Sequence, residues 1–113
     1  MSKNAIIIKT TGETEIVDFS TDSLAVLQKA VGGWVQAVEL NDNLTLWVNE
    51  EGKIEGLPHN PLAQHFFDLR FGTGVDYIVG NAVFTGGADR DGDTLGLDDN
   101  AIADLVASVT ASA

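Results

Sequence analysis

Between Val31 and Asn60 the chain is punctuated by three turn-forming words: Val31-Gly32-Gly33-Trp34-Val35-Gln36, Asn49-Glu50-Glu51-Gly52-Lys53 and Gly56-Leu57-Pro58-His59-Asn60. Glycine, proline and asparagine at such breaks supply backbone geometries that regular elements do not use, and the apolar runs between them have strand character. This part of the chain is therefore expected to be sheet and turn rather than a catalytic loop system. In the run from Leu44 to Asn49, alternation sends Leu44, Leu46 and Val48 one way and Thr45, Trp47 and Asn49 the other. The first set is expected to face the core, leaving Trp47 on the outward face.

The flanking segments extend this plan. Ala5 to Lys9, with three consecutive isoleucines, reads as a buried strand, and Thr11-Gly12 turns it into a second strand through Ile16, Val17 and Phe19. Ser20, Thr21 or Asp22 caps a helix whose apolar residues Leu24, Leu27, Ala30 and Val31 recur at helical spacing, and Gly32-Gly33 ends it. Trp34 to Leu40 and Leu44 to Val48 pair across Asn41-Asp42-Asn43. Lys53-Ile54-Glu55 is expected to be a short extended piece. Asn60-Pro61 opens a short helix over Leu62 to Leu69, and Tyr77 to Thr85 reads as a central strand bent at Gly80-Asn81. Asp98 caps a last helix, with Leu97 and Ile102 as a hydrophobic staple and Ile102, Leu105, Val106 and Val109 as its apolar stripe. The expected fold is α+β, a mostly antiparallel sheet of about five or six strands with two main helices packed on one face. Residues 1–113 form a single domain, with 110–113 a frayed tail.

Charge narrows the function. Seventeen acidic residues against six basic ones leave a formal net charge of −11, and Lys3, Lys9, Lys29, Lys53, Arg70 and Arg90 are scattered. Binding to nucleic acid or to an anionic membrane needs clustered cations, so neither is expected as a direct partner. Six aspartates against the single Arg90 make residues 89 to 113 the most acidic stretch. The absence of cysteine excludes disulfides and thiolate chemistry. The apolar run at Ala5 to Ile8 is too short for the core of a signal peptide, and a cytoplasmic location is expected.

With these elements placed, residues 31 to 61 and 76 to 87 resemble a family of small domains of unknown function, numbered 3846, found largely in bacteriophages and mobile elements. The resemblance rests on Val31-Gly32-Gly33-Trp34-Val35, Asn49-Glu50-Glu51-Gly52-Lys53, Gly56-Leu57-Pro58 with Asn60, and Tyr77-Ile78-Val79-Gly80-Asn81-Ala82-Val83-Phe84, in that order. Leu62 to Val75 is longer than the usual connection at that point. The resemblance implies an α+β domain in a phage or mobile-element setting, and supplies no reaction and no catalytic residues.

The candidate chemistries are few. Asp89, Asp91 and Asp93 alternate like the first ligands of an EF-hand loop, but Thr94 and Asn100 stand where that loop needs glycine and glutamate, so a solvated turn is expected. His59, His65 and Asp68 match no zinc spacing. Glu50 and Glu51 are turn neighbours that point apart, without the shielding that general acid–base work requires. Gly72-Thr73-Gly74 lacks the third glycine of a dinucleotide turn, no phosphate-loop word occurs, and no serine lies in a nucleophile elbow. No enzyme activity and no cofactor are expected. Phe66, Phe67, Leu69 and Phe71 are expected to fold down over the sheet, with an apolar patch for a partner or second subunit as the alternative.

What remains is binding. The favoured reading is a non-enzymatic accessory protein that contacts and modulates a host or phage protein, with Asp89, Asp91 and Asp93 steering a basic partner. The ligand or partner candidates are Trp34, Trp47, Asn49, Glu50, Glu51, Asn60 and Asn81. Capture of a small nucleotide-like signal beside Trp34, Trp47 or Asn81 is the first alternative. Imitation of DNA by carboxylates is the second, and a homo-oligomer is compatible with each.

Overall fold

A computed structural model describes residues 3–112, with side chains to residue 108. Strand β1 (Asn4–Ile8) pairs antiparallel with β2 (Thr14–Asp18), Ile6 opposite Ile16. Helix α1 (Ser23–Val31) follows, its N-cap Asp22 accepting from Ala25 N and its C-cap Gly32 in the left-handed region, donating to Gln28 O. Strands β3 (Val35–Asn41) and β4 (Leu44–Asn49) form the second hairpin. Helix α2 (Pro61–Phe71), strand β5 (Ala82–Thr85) and helix α3 (Asp99–Ser112) complete the order.

The strands form one antiparallel sheet in the order β2-β1-β5-β4-β3, so the short β5 lies in the middle and joins the two hairpins. Its four residues are all buried, as a strand covered on both faces requires. Ile6, Phe84 and Leu46 lie side by side on one face, and Ile7, Val83 and Trp47 on the other.

Both faces are covered. Ile6, Ile8, Leu46, Val48 and Phe84 pack with Leu62, Ala63 and Phe67 of α2 and Leu105 of α3. Ala5, Ile7 and Val83 pack with Phe19 and with Leu27 and Val31 of α1. The α+β class and the antiparallel sheet are as expected. The placement of both main helices on one face is not: α1 packs on one face, and α3 joins α2 on the other. The physical reason is visible in β1, where three successive isoleucines alternate between faces and each face needs its own cover.

Three local expectations are corrected. Residues 53–55 are wound, not extended: Glu55 N donates to Glu51 O at 2.9 Å and Leu57 N to Gly52 O at 3.0 Å. Ile54 is 87% exposed, so no core contact draws that segment straight. The strand expected over Tyr77 to Thr85 shrinks to Ala82–Thr85. Its first half pairs with the segment before α2 instead, with Asn60 N donating to Ile78 O at 2.9 Å and Gly80 N to Pro58 O at 2.7 Å. Trp47 is half-buried beside the α1 cluster rather than outward. The aromatic segment mostly folds down: Phe67 is buried and Phe66 meets Phe84 edge-on at 5.1 Å, while Leu69 is 71% exposed. Asp98 caps α3 by accepting from Ala101 N at 2.7 Å; Leu97 is buried in the core cluster and Ile102 packs, partly buried, against that cluster. Ala113 and the side chains of 109–112, where Val109 and the fraying are expected, lie outside the described residues.

Candidate functional site

Two of the asparagines named as ligand candidates, Asn60 and Asn49, have their polar atoms engaged within the fold. Asn60 is fully buried: Nδ2 donates to Ile8 O at 2.9 Å and to Gly80 O at 3.0 Å, and Oδ1 accepts from Ala63 N at 3.1 Å as the N-cap of α2. One side chain thus ties β1, the turn before β5 and α2 together. Asn49 is buried at the end of β4, its Nδ2 donating to Val31 O at 3.3 Å and Glu55 Oε1 at 3.1 Å and its Oδ1 accepting from Glu51 N at 2.8 Å. A Cβ on Gly33 would stand 2.9 Å from Asn49 Nδ2, so the second glycine of Gly32-Gly33 makes room for this amide. Asn81 Oδ1 accepts from Thr10 N at 3.1 Å. Glu50 and Glu51 are exposed, and Trp34 is 66% exposed.

Trp47 and the acidic loop, separate in sequence, converge. Trp47 Nε1 donates to Thr85 Oγ1 at 2.8 Å, and Thr85 Oγ1 donates on to Gly86 O at 2.9 Å. The indole is thereby fixed on the floor of a groove of about 480 Å³ beyond the end of β5. One wall is β3 and its turn, with Ala37, Glu39 and Asp42, and the other is a tight hairpin over residues 86–95. Gly86 N donates to Leu95 O at 2.9 Å, Leu95 N to Gly87 O at 2.8 Å and Asp89 N to Asp93 O at 2.9 Å. The two walls meet at Gly87, where a Cβ would overlap Asp42 O at 2.0 Å, so no larger residue fits without moving the backbone.

Within this hairpin the aspartates divide by role. Asp89 Oδ1 accepts from Asp91 N at 2.9 Å and Asp93 N at 3.0 Å, so its carboxylate holds the turn. Asp91 and Asp93 are exposed on the same turn as Arg90 and are not among the residues lining the groove, whose carboxylates are Glu39 and Asp42. No Lys or Arg is among the residues lining it. Lys3 reaches the hairpin only at Thr94 O, 3.1 Å from its Nζ. Sequence reading misses Glu39 and Asp42: alternation puts Glu39 on the same strand face as Ala37, but only the β3–β4 register, Ala37 opposite Trp47, aligns both with the tryptophan.

A second groove, of about 520 Å³, lies between α1 and the β1–β2 hairpin. Ile7, Val17, Val26 and Ala30 form its apolar lining, with Lys9, Lys29, Asn81, Glu15 and Asp18 at its polar margin. Lys9 is shared with Glu13 and Glu15, each at 3.9 Å. A third, smaller cavity of about 80 Å³ brings Glu50 and Lys53 to Asp76. There Lys53 Nζ donates to Asp76 Oδ1 and holds that carboxyl below the usual aspartate range.

His59 meets Gln64 Oε1 at 3.1 Å, and His65 lies edge-on to Phe66. Among the described residues no group of three His, Asp or Glu side chains converges as metal ligands would. No helix among them is long and apolar enough to cross a membrane.

These features define a small α+β domain built on an open, five-stranded antiparallel sheet with a helix on one face and two on the other. The chain belongs to the family of domains of unknown function DUF3846, which matches residues 1–110. No curated protein and no solved structure gives a significant match.

Proposed function

We propose that this protein acts by binding, without catalysis, as an accessory protein of a phage or mobile element in the host cytoplasm, where it engages and modulates a basic protein. The observation that carries the reading is the groove over Trp47, walled by Glu39, Asp42 and the 86–95 hairpin and lined by no cation. An aromatic floor offers burial to an apolar or guanidinium-bearing side chain, and the carboxylates supply long-range attraction and select against acidic partners. A net charge of −11 reinforces that steering.

The test is capture of cytosolic proteins on the tagged chain at low salt, compared with a variant carrying Glu39→Gln, Asp91→Asn and Asp93→Asn. Asp89 is left intact because it holds the hairpin. A basic protein enriched by the wild type and lost with the variant supports the reading. Equal capture by both would refute the role of the groove.

The groove beside α1 frames a second reading, capture of a small amphiphile. Its apolar lining suits an apolar body, and Lys9, Lys29 and Asn81 with Glu15 and Asp18 on the same margin suit a polar end that carries both charges. A thermal-shift panel of nucleotides and of zwitterionic and anionic amphiphiles separates the two, since Lys29→Ala would abolish a shift caused at this groove and leave protein capture unchanged.

A further inference from the structure

Strand β3 is bonded to β4 on one side only and forms an edge of the sheet. Glu50 N donates to Trp34 O at 2.8 Å, which makes Trp34 and Glu50 a hydrogen-bonded antiparallel pair. Stepping by two along the register, Gln36 with Val48 and Val38 with Leu46 are the next bonded pairs. The backbone N–H and C=O of Val35, Ala37 and Glu39 therefore point away from β4, toward the open edge.

Sheets commonly blunt such edges with lysine, proline, bulges or a covering element. β3 contains no lysine and no proline. Its register shift between Glu39 and Asn41, and Arg70 Nε donating to Leu40 O at 2.8 Å, close only the C-terminal end. Among the described residues, nothing bonds the outward edge from Val35 to Glu39.

Two chemically different surfaces flank this edge. On one face Ala37 and Glu39 open onto the acidic groove with Asp42. On the other, Gln36 and Val38 lie beside Tyr77, which is 72% exposed, in the cavity where Lys53 is paired with Asp76.

We infer that β3 receives an extended segment of the partner as an added strand of the five-stranded sheet, and that this segment alternates basic and apolar side chains. The basic side chains reach Glu39 and Asp42 on the groove face. The apolar ones lie along Val38 and Tyr77 on the α2 face. Ladder hydrogen bonds tolerate any sequence, so the alternation supplies the specificity: a slip of one residue would take the cations from Glu39 and Asp42 and turn them to the face that holds Lys53 and Tyr77. This inference rests on the proposed binding of a basic protein and gives that partner a conformation and a side-chain pattern.

The probe is a capped peptide alternating lysine and valine over seven positions, compared with a peptide of the same composition in two blocks. Binding is read by calorimetry at low salt and by amide exchange. The alternating peptide is expected to bind and to slow exchange at Val35, Ala37 and Glu39, while the blocked peptide is not. Ala37→Pro removes an outward N–H without removing a bond to β4, and edge strands admit proline at such positions. It is expected to weaken binding by about tenfold, the effect of one lost ladder bond together with the clash of the ring. Glu39→Lys, which leaves the backbone unaltered, is expected to weaken it as well. No protection at these amides, equal protection by the blocked peptide, or unchanged affinity with Ala37→Pro would overturn the inference. So would a wild-type dimer that Ala37→Pro dissociates, since a second copy would then be the occupant. A basic protein captured equally by wild type and Ala37→Pro refutes strand addition and spares the proposed function. Peptide binding at β3 with no basic protein captured refutes the proposed function and spares the edge.

Discussion

Replacing Asn60 by alanine removes three hydrogen bonds from a residue with no exposed surface. Loss of an N-cap side chain costs about 1 kcal/mol. Two buried carbonyls, Ile8 O and Gly80 O, also lose a donor, at about 1 kcal/mol or more each where nothing replaces it. The expected destabilisation is about 3 kcal/mol, a large fraction of the roughly 5–15 kcal/mol that holds a domain of this size together. At roughly 4 °C per kcal/mol the midpoint of thermal unfolding should fall by about 12 °C. Asn60→Asp is the sharper experiment, because it keeps the cap acceptor and loses only the donors. At neutral pH its buried carboxylate would face two carbonyl oxygens, so this variant should be at least as unstable as Asn60→Ala. Those surroundings raise its pKa in the folded state, so stability should recover toward the wild type as pH falls and the carboxyl becomes a donor. Urea unfolding at several pH values gives both numbers. An Asn60→Asp protein as stable as wild type at neutral pH would show that the two donated bonds hold nothing together.

Gly33→Ala should cost about 1–3 kcal/mol by urea unfolding, because the new Cβ meets Asn49 Nδ2 at 2.9 Å. The cost should shrink when Asn49→Ala is already present, and additive effects would refute the contact. Trp47→Phe should lose about 1 kcal/mol by leaving Thr85 Oγ1 without its indole donor; an unchanged unfolding midpoint would show that bond to be replaceable. Lys53→Ala should raise the Asp76 carboxyl toward the usual aspartate range, read by NMR titration. Because Lys53 depresses that pKa in the folded state, the pair's contribution is present above the unfolded-chain value and lost as pH falls through the lower folded value. The variant's stability should therefore vary less with pH below about pH 4, and a carboxyl that titrates identically in both proteins would refute the pairing.

The hairpins, the cap at Asp98, a cap within Ser20 to Asp22 and the helix stop at Gly32 were legible in the sequence because each rests on chemistry local to a few residues, whereas the capping role of Asn60 was not read from it. The sidedness of the helices was not. Three adjacent isoleucines announce burial on both faces, but which helix covers which face depends on the placement of β5 between β1 and β4, a non-local pairing. The segment from Tyr77 to Gly80 misled for a related reason: its apolar residues suit a strand, yet its backbone is taken by Pro58 and Asn60. For the groove, Trp47 and the aspartate loop were visible as separate words. Their convergence depends on Gly87 lying against Asp42, a contact that neither word implies.

The words that identify the family also explain why membership says so little about activity. Asn60 and Asn49, with Gly33, are used up inside the fold: two amides bond backbone groups of neighbouring segments, and a glycine leaves space for one of them. Buried polar groups of this kind fix one arrangement of chain segments, because a displaced asparagine leaves several carbonyls unmet together. They specify the scaffold and leave its surface undetermined. The groove wall at Glu39 and Asp42, the exposed aspartates of the 86–95 hairpin and the open edge of β3 beyond Val35 lie outside those words. Substitutions there can change charge and pattern without disturbing a single one of the asparagine bonds. Two chains that share Asn49, Asn60 and Gly33 can therefore differ in groove and edge on the same sheet, and the proposed binding is to be tested at the acidic groove and edge strand of this one.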